Sequence, residues 1–313
     1  MTIHKTVLLK EAVDNLNLKE GMTVVDATLG GGGHSLNILK TISSTGKLIA
    51  IDRDQKAIDR FKKNTDELGL NYENLIPVKS NFSDIDKVLD DLKIEKVNAI
   101  LADFGLSSDQ LDNTNRGFSF RGDSELDMRM DQSQELTAAD IVNTYSEERL
   151  WKIIRILGDE KYARRISKEI VEKRDEGVIK TTNELVEIIE KVIPEREKRK
   201  KTHCATKTFQ AIRMEVNKEL ESITSFVEKS IERLKSGGRL AVISFHSGED
   251  RIVKSIFKES AKGCECPVAF PVCICGKSPD VKIISKKPIM PSQEEVDENP
   301  RSRSAKLRII EKI

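Results

Sequence analysis

Residues 24–34 read Val24-Val25-Asp26-Ala27-Thr28-Leu29-Gly30-Gly31-Gly32-Gly33-His34, and this stretch restricts the fold more than any other. A short apolar run passes into a carboxylate, then into four consecutive glycines, then into a helical pattern. A strand–loop–helix turn of this composition lets the backbone approach a ligand closely, because glycine has no side chain in the way. It points to a nucleotide-like cofactor. The dinucleotide fingerprint G-x-G-x-x-G fails here, since its third glycine would fall on Ser35 or Leu36. A phosphate-binding loop or a merely tight turn stays open on this stretch alone.

The pattern around the loop sets the fold class. Apolar runs at Met22–Thr28, Lys47–Asp52, Leu75–Val78 and Asn98–Asp103 alternate with helical stretches such as Gln55–Leu68 and Ser83–Leu92. Alternation of this kind predicts an α/β fold of parallel strands with helices on both faces. Ligands then sit beyond the carboxyl ends of the strands, so Asp26, Asp52 and Asp103, each ending a strand, should converge on one cleft. From about Thr137 to Lys201 the pattern is helical and densely charged, as in Ser146–Leu157, Lys161–Arg174 and Thr182–Ile193. A helix at about Val216–Leu234 and a Gly237-Gly238 turn precede a fifth strand at Arg239–Phe245. Two more strands, Val281–Ser285 and Lys306–Ile310, would close a seven-stranded sheet as an antiparallel pair. The simplest organisation is an all-helical domain inserted between the fourth and fifth strands.

Composition narrows the setting. Lys and Arg number 53 against 52 Asp and Glu, a net charge of +1, so no global basic footprint announces nucleic acid. The charged start argues against a secretory signal. No apolar run approaches the ~20 residues of a membrane helix, so a cytoplasmic protein without a membrane partner is expected. Five cysteines do not suggest a secreted disulfide scaffold. Glu195–Lys201, rich in Lys and Arg, reads as a solvated helix end or as a phosphate-holding patch.

The spacing of Asp26, Thr28, Gly30 and Gly32 has the shape of the first motif of S-adenosylmethionine-dependent methyltransferases, with Thr28 in place of the first glycine. Asp52 is the acid that would accept both ribose hydroxyls, although that feature alone does not separate this cofactor from NAD. Phe82, after the third strand, offers an apolar wall for adenine or is ordinary core.

Longer motifs carry a more specific resemblance. They are His4-Lys-Thr-Val-Leu-Leu, Asp26-Ala-Thr-Leu-Gly-Gly-Gly-Gly-His34-Ser, Ala50-Ile-Asp-Arg-Asp54 and Asp103-Phe-Gly-Leu-Ser-Ser-Asp-Gln110-Leu-Asp112. Arg116-Gly-Phe-Ser-Phe, Leu126-Asp-Met-Arg-Met-Asp131, Ala205-Thr-Lys-Thr-Phe-Gln-Ala-Ile-Arg213, Ile243-Ser-Phe-His-Ser247 and Asn299-Pro-Arg-Ser-Arg-Ser-Ala-Lys-Leu-Arg308 follow in order. Essentially from end to end the chain resembles the bacterial small-subunit rRNA (cytosine-N4) methyltransferases, the RsmH or MraW family. The resemblance implies a Rossmann-like class I methyltransferase sheet formed by residues 1–112 and 205–313. Residues 113–204 would then be the inserted helical domain that recognises RNA. It implies methyl transfer from S-adenosylmethionine to N4 of one cytidine in the decoding region of small-subunit rRNA, with free rRNA or the assembled subunit as partner. Oligomeric state stays open between monomer and homodimer. Cofactor contacts would fall at Gly32, Gly33, His34, Asp52, Phe82, Asp103 and Gln110. The chain departs from the family pattern at Asp109 and Cys204, where proline is usual, and at Gly248, where leucine is usual.

The reaction adds a constraint. The N4 lone pair of cytosine is delocalised into the ring, so an acceptor that holds an N4 hydrogen and takes the proton is needed. Asp103 is the best-placed carboxylate, serving as that acceptor or binding only the cofactor amine. Backbone carbonyls near Phe104 are alternatives. His246, after the fifth strand, is a second candidate for a catalytic or base-contacting role. Arg116, Arg121, Arg129 and Arg213 are candidate RNA contacts. Cys264-Glu-Cys266 and Cys273-Ile-Cys275 form paired C-x-C steps suited to a structural zinc, or to a surface loop of reduced thiols. Rival readings are methylation of another nucleic-acid amine, a ribosome-binding factor that keeps the cofactor site, and a NAD-linked oxidoreductase.

Overall fold

The computed structural model describes residues 6–67, 73–104, 116–119, 122–200, 202–264, 266, 272 and 274–313. Two compact units divide the chain. One comprises residues 1–105 and 220–313, the other residues 106–219.

The first unit is built on a seven-stranded sheet, β1 (Thr23–Asp26), β2 (Lys47–Asp52), β3 (Leu75–Lys79), β4 (Val97–Asp103), β5 (Leu234–Ser244), β6 (Val281–Ile283) and β7 (Lys306–Lys312). Its order is β3-β2-β1-β4-β5-β7-β6. Strands β1 to β5 run parallel, and β7 runs antiparallel to both β5 and β6. This is the Rossmann-like class I methyltransferase sheet expected from the sequence.

Neighbouring residues of each strand go to opposite faces, as the pleat requires. Val24, Leu48, Leu101 and Ile243 pack on one face with Ala12 and Val13 of α1 (Leu9–Asn15), with Ile38, Leu39 and Ile42 of α2 (Gly33–Ile42) and with Phe61 of α3 (Gln55–Glu67). Val25, Ile49, Ile100 and Val242 pack on the other with α4 (Ile85–Asp91). Phe226 and Phe257, from the later helices over Glu219–Arg233 and Ser247–Ser260, join this second face. Burial on both sides explains the near-continuous apolar runs of the central strands.

The second unit is helical, and its bundle contains α5 (Ala138–Thr144), α6 (Glu147–Ile156), α7 (Ala163–Glu176), α8 (Thr182–Val192), α9 (Glu195–Lys198) and α10 (Thr206–Asn217). Thr137 and Thr181 start α5 and α8 with reciprocal capping boxes to Asp140 and Glu184. The unit extends past the boundary expected at residue 204. Phe209, Ile212 and Val216 of α10 are buried in its own cluster with Leu150, Ile166 and Ile189.

Two local expectations change. The helix foreseen at Val216–Leu234 is split at Lys218, whose φ of 48° ends α10, and α11 (Glu219–Arg233) starts afresh. The Gly237-Gly238 turn is an irregularity inside β5. Leu234 pairs with Val97 and Arg239 with Ala99, so residues 235–238 are looped out against the single residue between their partners. Among the described residues no helix is long and apolar enough to cross a membrane.

Candidate active site

The glycine loop lies at the carboxyl ends of β1, β2 and β4. Gly32 adopts φ 78°, and a Cβ there would lie 2.0 Å from the Phe61 ring. At Gly33 a Cβ would lie 1.9 Å from Thr6 Oγ1. Both positions need glycine because the loop is pressed against its own unit. Gly30, φ 49°, differs, with nothing closer to its would-be Cβ than Thr28 O at 3.8 Å. His34 is buried in the first turn of α2.

The three strand-end carboxylates have distinct environments. Asp26 is buried, accepting from the Ser35 hydroxyl at 2.6 Å and the Thr28 amide at 3.1 Å. Burial pushes its carboxyl up to about 6, against the pull of those two donors and with a smaller push from Asp52. Asp52 accepts the Gly30 amide on one oxygen at 2.8 Å and the Asp54 amide on the other at 2.8 Å. Burial raises it too, opposed by these amides. Each Asp52 oxygen keeps a second lone pair, which suits a diol such as a ribose. The Asp103 amide donates to Thr28 Oγ1 at 2.6 Å, so the residue that replaces a motif glycine binds the end of β4 to the loop.

Beside Asp52 lies an aromatic wall. Phe82 packs on Phe104 with ring centroids 5.3 Å apart, and on Phe226 at 5.4 Å. The Arg53 guanidinium lies 5.1 Å from the Phe82 centroid and donates to Asn81 Oδ1 at 2.8 Å. Sequence reasoning found Phe82 as a wall, named Phe104 only for its backbone carbonyl and Arg53 only within a motif, and missed Phe226 and Asn81. Their grouping depends on packing from four separate segments, after β2, β3 and β4 and in the helix Glu219–Arg233.

His246 lies after β5, as the sequence placed it. It caps α12 (Ser247–Ser260), its Nδ1 accepting the Glu249 amide at 3.3 Å while Glu249 Oε2 accepts the Phe245 amide at 2.7 Å. Its Nε2 lies 2.9 Å from Glu249 Oε1. Both ring nitrogens thus face Glu249, Nδ1 its amide and Nε2 its carboxylate.

The arginine candidates in the described residues have partners inside the helical unit. Arg116 donates to the carbonyls of Arg129 at 2.6 Å and Met130 at 2.9 Å. Arg129 grips both oxygens of Asp127 at 2.8 Å, and despite the cost of burial this holds the Asp127 carboxyl below its ordinary range. Arg213 forms a fork with Glu219 at 2.7 and 2.8 Å. Within the basic run that begins at Glu195, Glu197 pairs with Lys161 at 2.8 Å and with Lys200 at 2.6 Å. Cys264, Cys266 and Cys275 bring their sulfurs within 4.8 Å of one another. Gln110, Arg121 and Cys273 lie outside the described residues.

A family model described as the MraW methylase family matches residues 1–313. The ribosomal RNA small subunit methyltransferase H of Clostridium botulinum strain Kyoto / Type A2 is 54% identical over 310 residues, covering 99% of each chain. That of strain Loch Maree / Type A3 is 53% identical over the same length, again with 99% of each chain covered.

Proposed function

The chain belongs to the MraW methylase family, and on that premise we propose that it methylates small-subunit rRNA with S-adenosylmethionine, at N4 of a single decoding-region cytidine. The observation that carries the cofactor half of this reading is the pair of Asp52 oxygens. Each is held by one backbone amide and each has a lone pair left, beside an aromatic wall. The residues fit the cofactor by chemistry. Asp52 takes the ribose hydroxyls, and the apolar faces of Phe82 and Phe104 take adenine. The open loop at Gly30 with the first turn of α2 takes the methionine end, where backbone amides favour a carboxylate. When bound, the cofactor supplies an electrophilic methyl group on a sulfonium.

The chain's own part is to orient the cytosine amine and receive its proton. We assign Asp103 that role, as the acceptor that holds one N4 hydrogen, with the Phe104 carbonyl as a second acceptor. Thr28 fixes the Asp103 backbone and so the direction from which its carboxylate reaches the base. His246 holds the turn between β5 and α12 rather than taking the proton. Arg116, Arg129 and Arg213 shape the helical unit that would meet RNA. The 54% identity to a small-subunit rRNA methyltransferase over 99% of both chains supports the substrate class.

Small subunits and free rRNA from cells lacking this gene, incubated with the protein and methyl-labelled S-adenosylmethionine, test the reading. Label on N4 of one decoding-region cytidine is expected, lost in Asp103→Asn. Cofactor binding without label on subunits or free rRNA would overturn the substrate assignment.

A further inference from the structure

The described residues between α12 and β6 bury no side chain. The Asp280 amide donates to the Ser260 carbonyl at 2.8 Å and closes the base of the loop, and Lys277 lies 3.5 Å from Glu259. Between these anchors none of the described residues 261–280 is buried, while Val272 and Ile274 are 70% and 74% exposed. Loop residues that bury no side chain need another source of order.

The cysteines offer one. Cys264 and Cys275 place their sulfurs 3.8 Å apart. A disulfide would require about 2.05 Å. Two thiolates on a tetrahedral zinc, each about 2.3 Å from the metal, stand roughly 3.8 Å apart. Cys266 completes a triangle, all three sulfurs lying within 4.8 Å of one another. Backbone amides point at two of them, Cys266 N–H at Cys264 Sγ at 3.4 Å and Ile274 N–H at Cys266 Sγ at 3.3 Å. Amide donors at sulfur stabilise thiolate charge and orient the ligands of such sites.

We propose that Cys264, Cys266 and Cys275 hold a structural zinc ion that clasps this loop. On binding, each of the three thiols gives its proton to solvent and its sulfur to the metal.

The test uses the full chain, purified under reducing conditions and titrated with cobalt(II) as the spectroscopic probe and then with zinc. One equivalent of cobalt should bind with sulfur-to-metal charge-transfer bands and tetrahedral ligand-field bands, and zinc should bleach them. Cys264→Ser and Cys275→Ser should each weaken cobalt binding by more than ~100-fold, beyond the usual cost of losing an outer-shell partner. Cys204→Ser, remote in sequence, should leave it unchanged. Hydrogen exchange within residues 261–280 should rise on metal removal while β1 to β5 stay protected. Absence of stoichiometric cobalt uptake by the reduced wild-type chain would overturn the proposal. Octahedral spectra, or retention of binding in both Cys→Ser variants, would do the same.

Discussion

Thr28 Oγ1 accepts the Asp103 amide at 2.6 Å, a bond between residues 75 positions apart that joins the glycine loop to the end of β4. The two segments proposed to hold the cofactor and the base are therefore tied to each other directly. Thr28→Val keeps the shape but strands the Asp103 N–H, at a cost of about 1–3 kcal/mol if it stays dry. We expect a lower melting temperature and a fall in single-turnover methyl transfer, with both restored in Thr28→Ser. Wild-type turnover in Thr28→Val would show that the bond does not position Asp103.

Asp26 gives a signed pH dependence. Its carboxyl rises from 3.8 in the unfolded chain to about 6 when folded, so the native state binds that proton more tightly. Its contribution is fully present below about pH 4 and is lost as pH rises through about 6, a change of about 3 kcal/mol at most. Denaturant unfolding of cofactor-free wild type and Asp26→Asn across this range should show a difference that grows in favour of the amide. A constant offset would mean that Asp26 is ionised throughout.

Two glycines with almost equal φ separate backbone strain from contact. Gly32→Ala, φ 78°, drives a Cβ to 2.0 Å from Phe61, whereas Gly237→Ala, φ 75°, meets nothing within 4 Å. The second should cost only the left-handed penalty of about 1–2 kcal/mol. The first should cost more and also abolish cofactor binding, read by calorimetry. Equal stability losses would argue against the close approach.

Arg213 distinguishes structure from RNA contact. Its fork to Glu219 is largely buried, with side-chain exposures of 15% and 9%. Arg213→Ala leaves a buried carboxylate without its partner, an effect on the order of 3 kcal/mol. Unfolding of the helical unit should shift, while the salt dependence of RNA binding by the folded fraction stays the same. A shallower slope of log affinity against log salt would instead reveal a lost phosphate contact.

His246 tests the assignment of the proton. His246→Asn keeps a capping side chain, and His246→Ala forfeits the cap at a cost of about 1 kcal/mol. If Asp103 is the acceptor, His246→Asn retains most of the activity and the pH–rate profile keeps its shape. Disappearance of an ionisation from that profile in His246→Asn would return the base to the histidine.

What could be read from the residues alone is local in origin. The period-two and helical patterns place the strands because burial on two faces leaves no room for polar positions in Val24–Val25 or Ile49–Ile51. The acids that end β1, β2 and β4 follow from the same reading, since parallel strands all deliver their carboxyl ends to one edge. The glycine loop is legible because no other residue type suits Gly32 with φ 78° against a phenyl ring.

The tertiary structure decided which partner each polar group finds. Thr28 looked like a substitution in a glycine motif and is a fastener. Three arginines that looked available for phosphate are engaged by carbonyls and carboxylates of their own unit. His246 became a helix cap because Glu249 reaches back four residues to the Phe245 amide. Cys264, Cys266 and Cys275 became a triangle of sulfurs. Strand and helix periodicity arise from neighbours in the chain, whereas a hydrogen bond or a ligand shell is chosen by what distant segments bring within about 3–4 Å, and that is settled only when the chain packs.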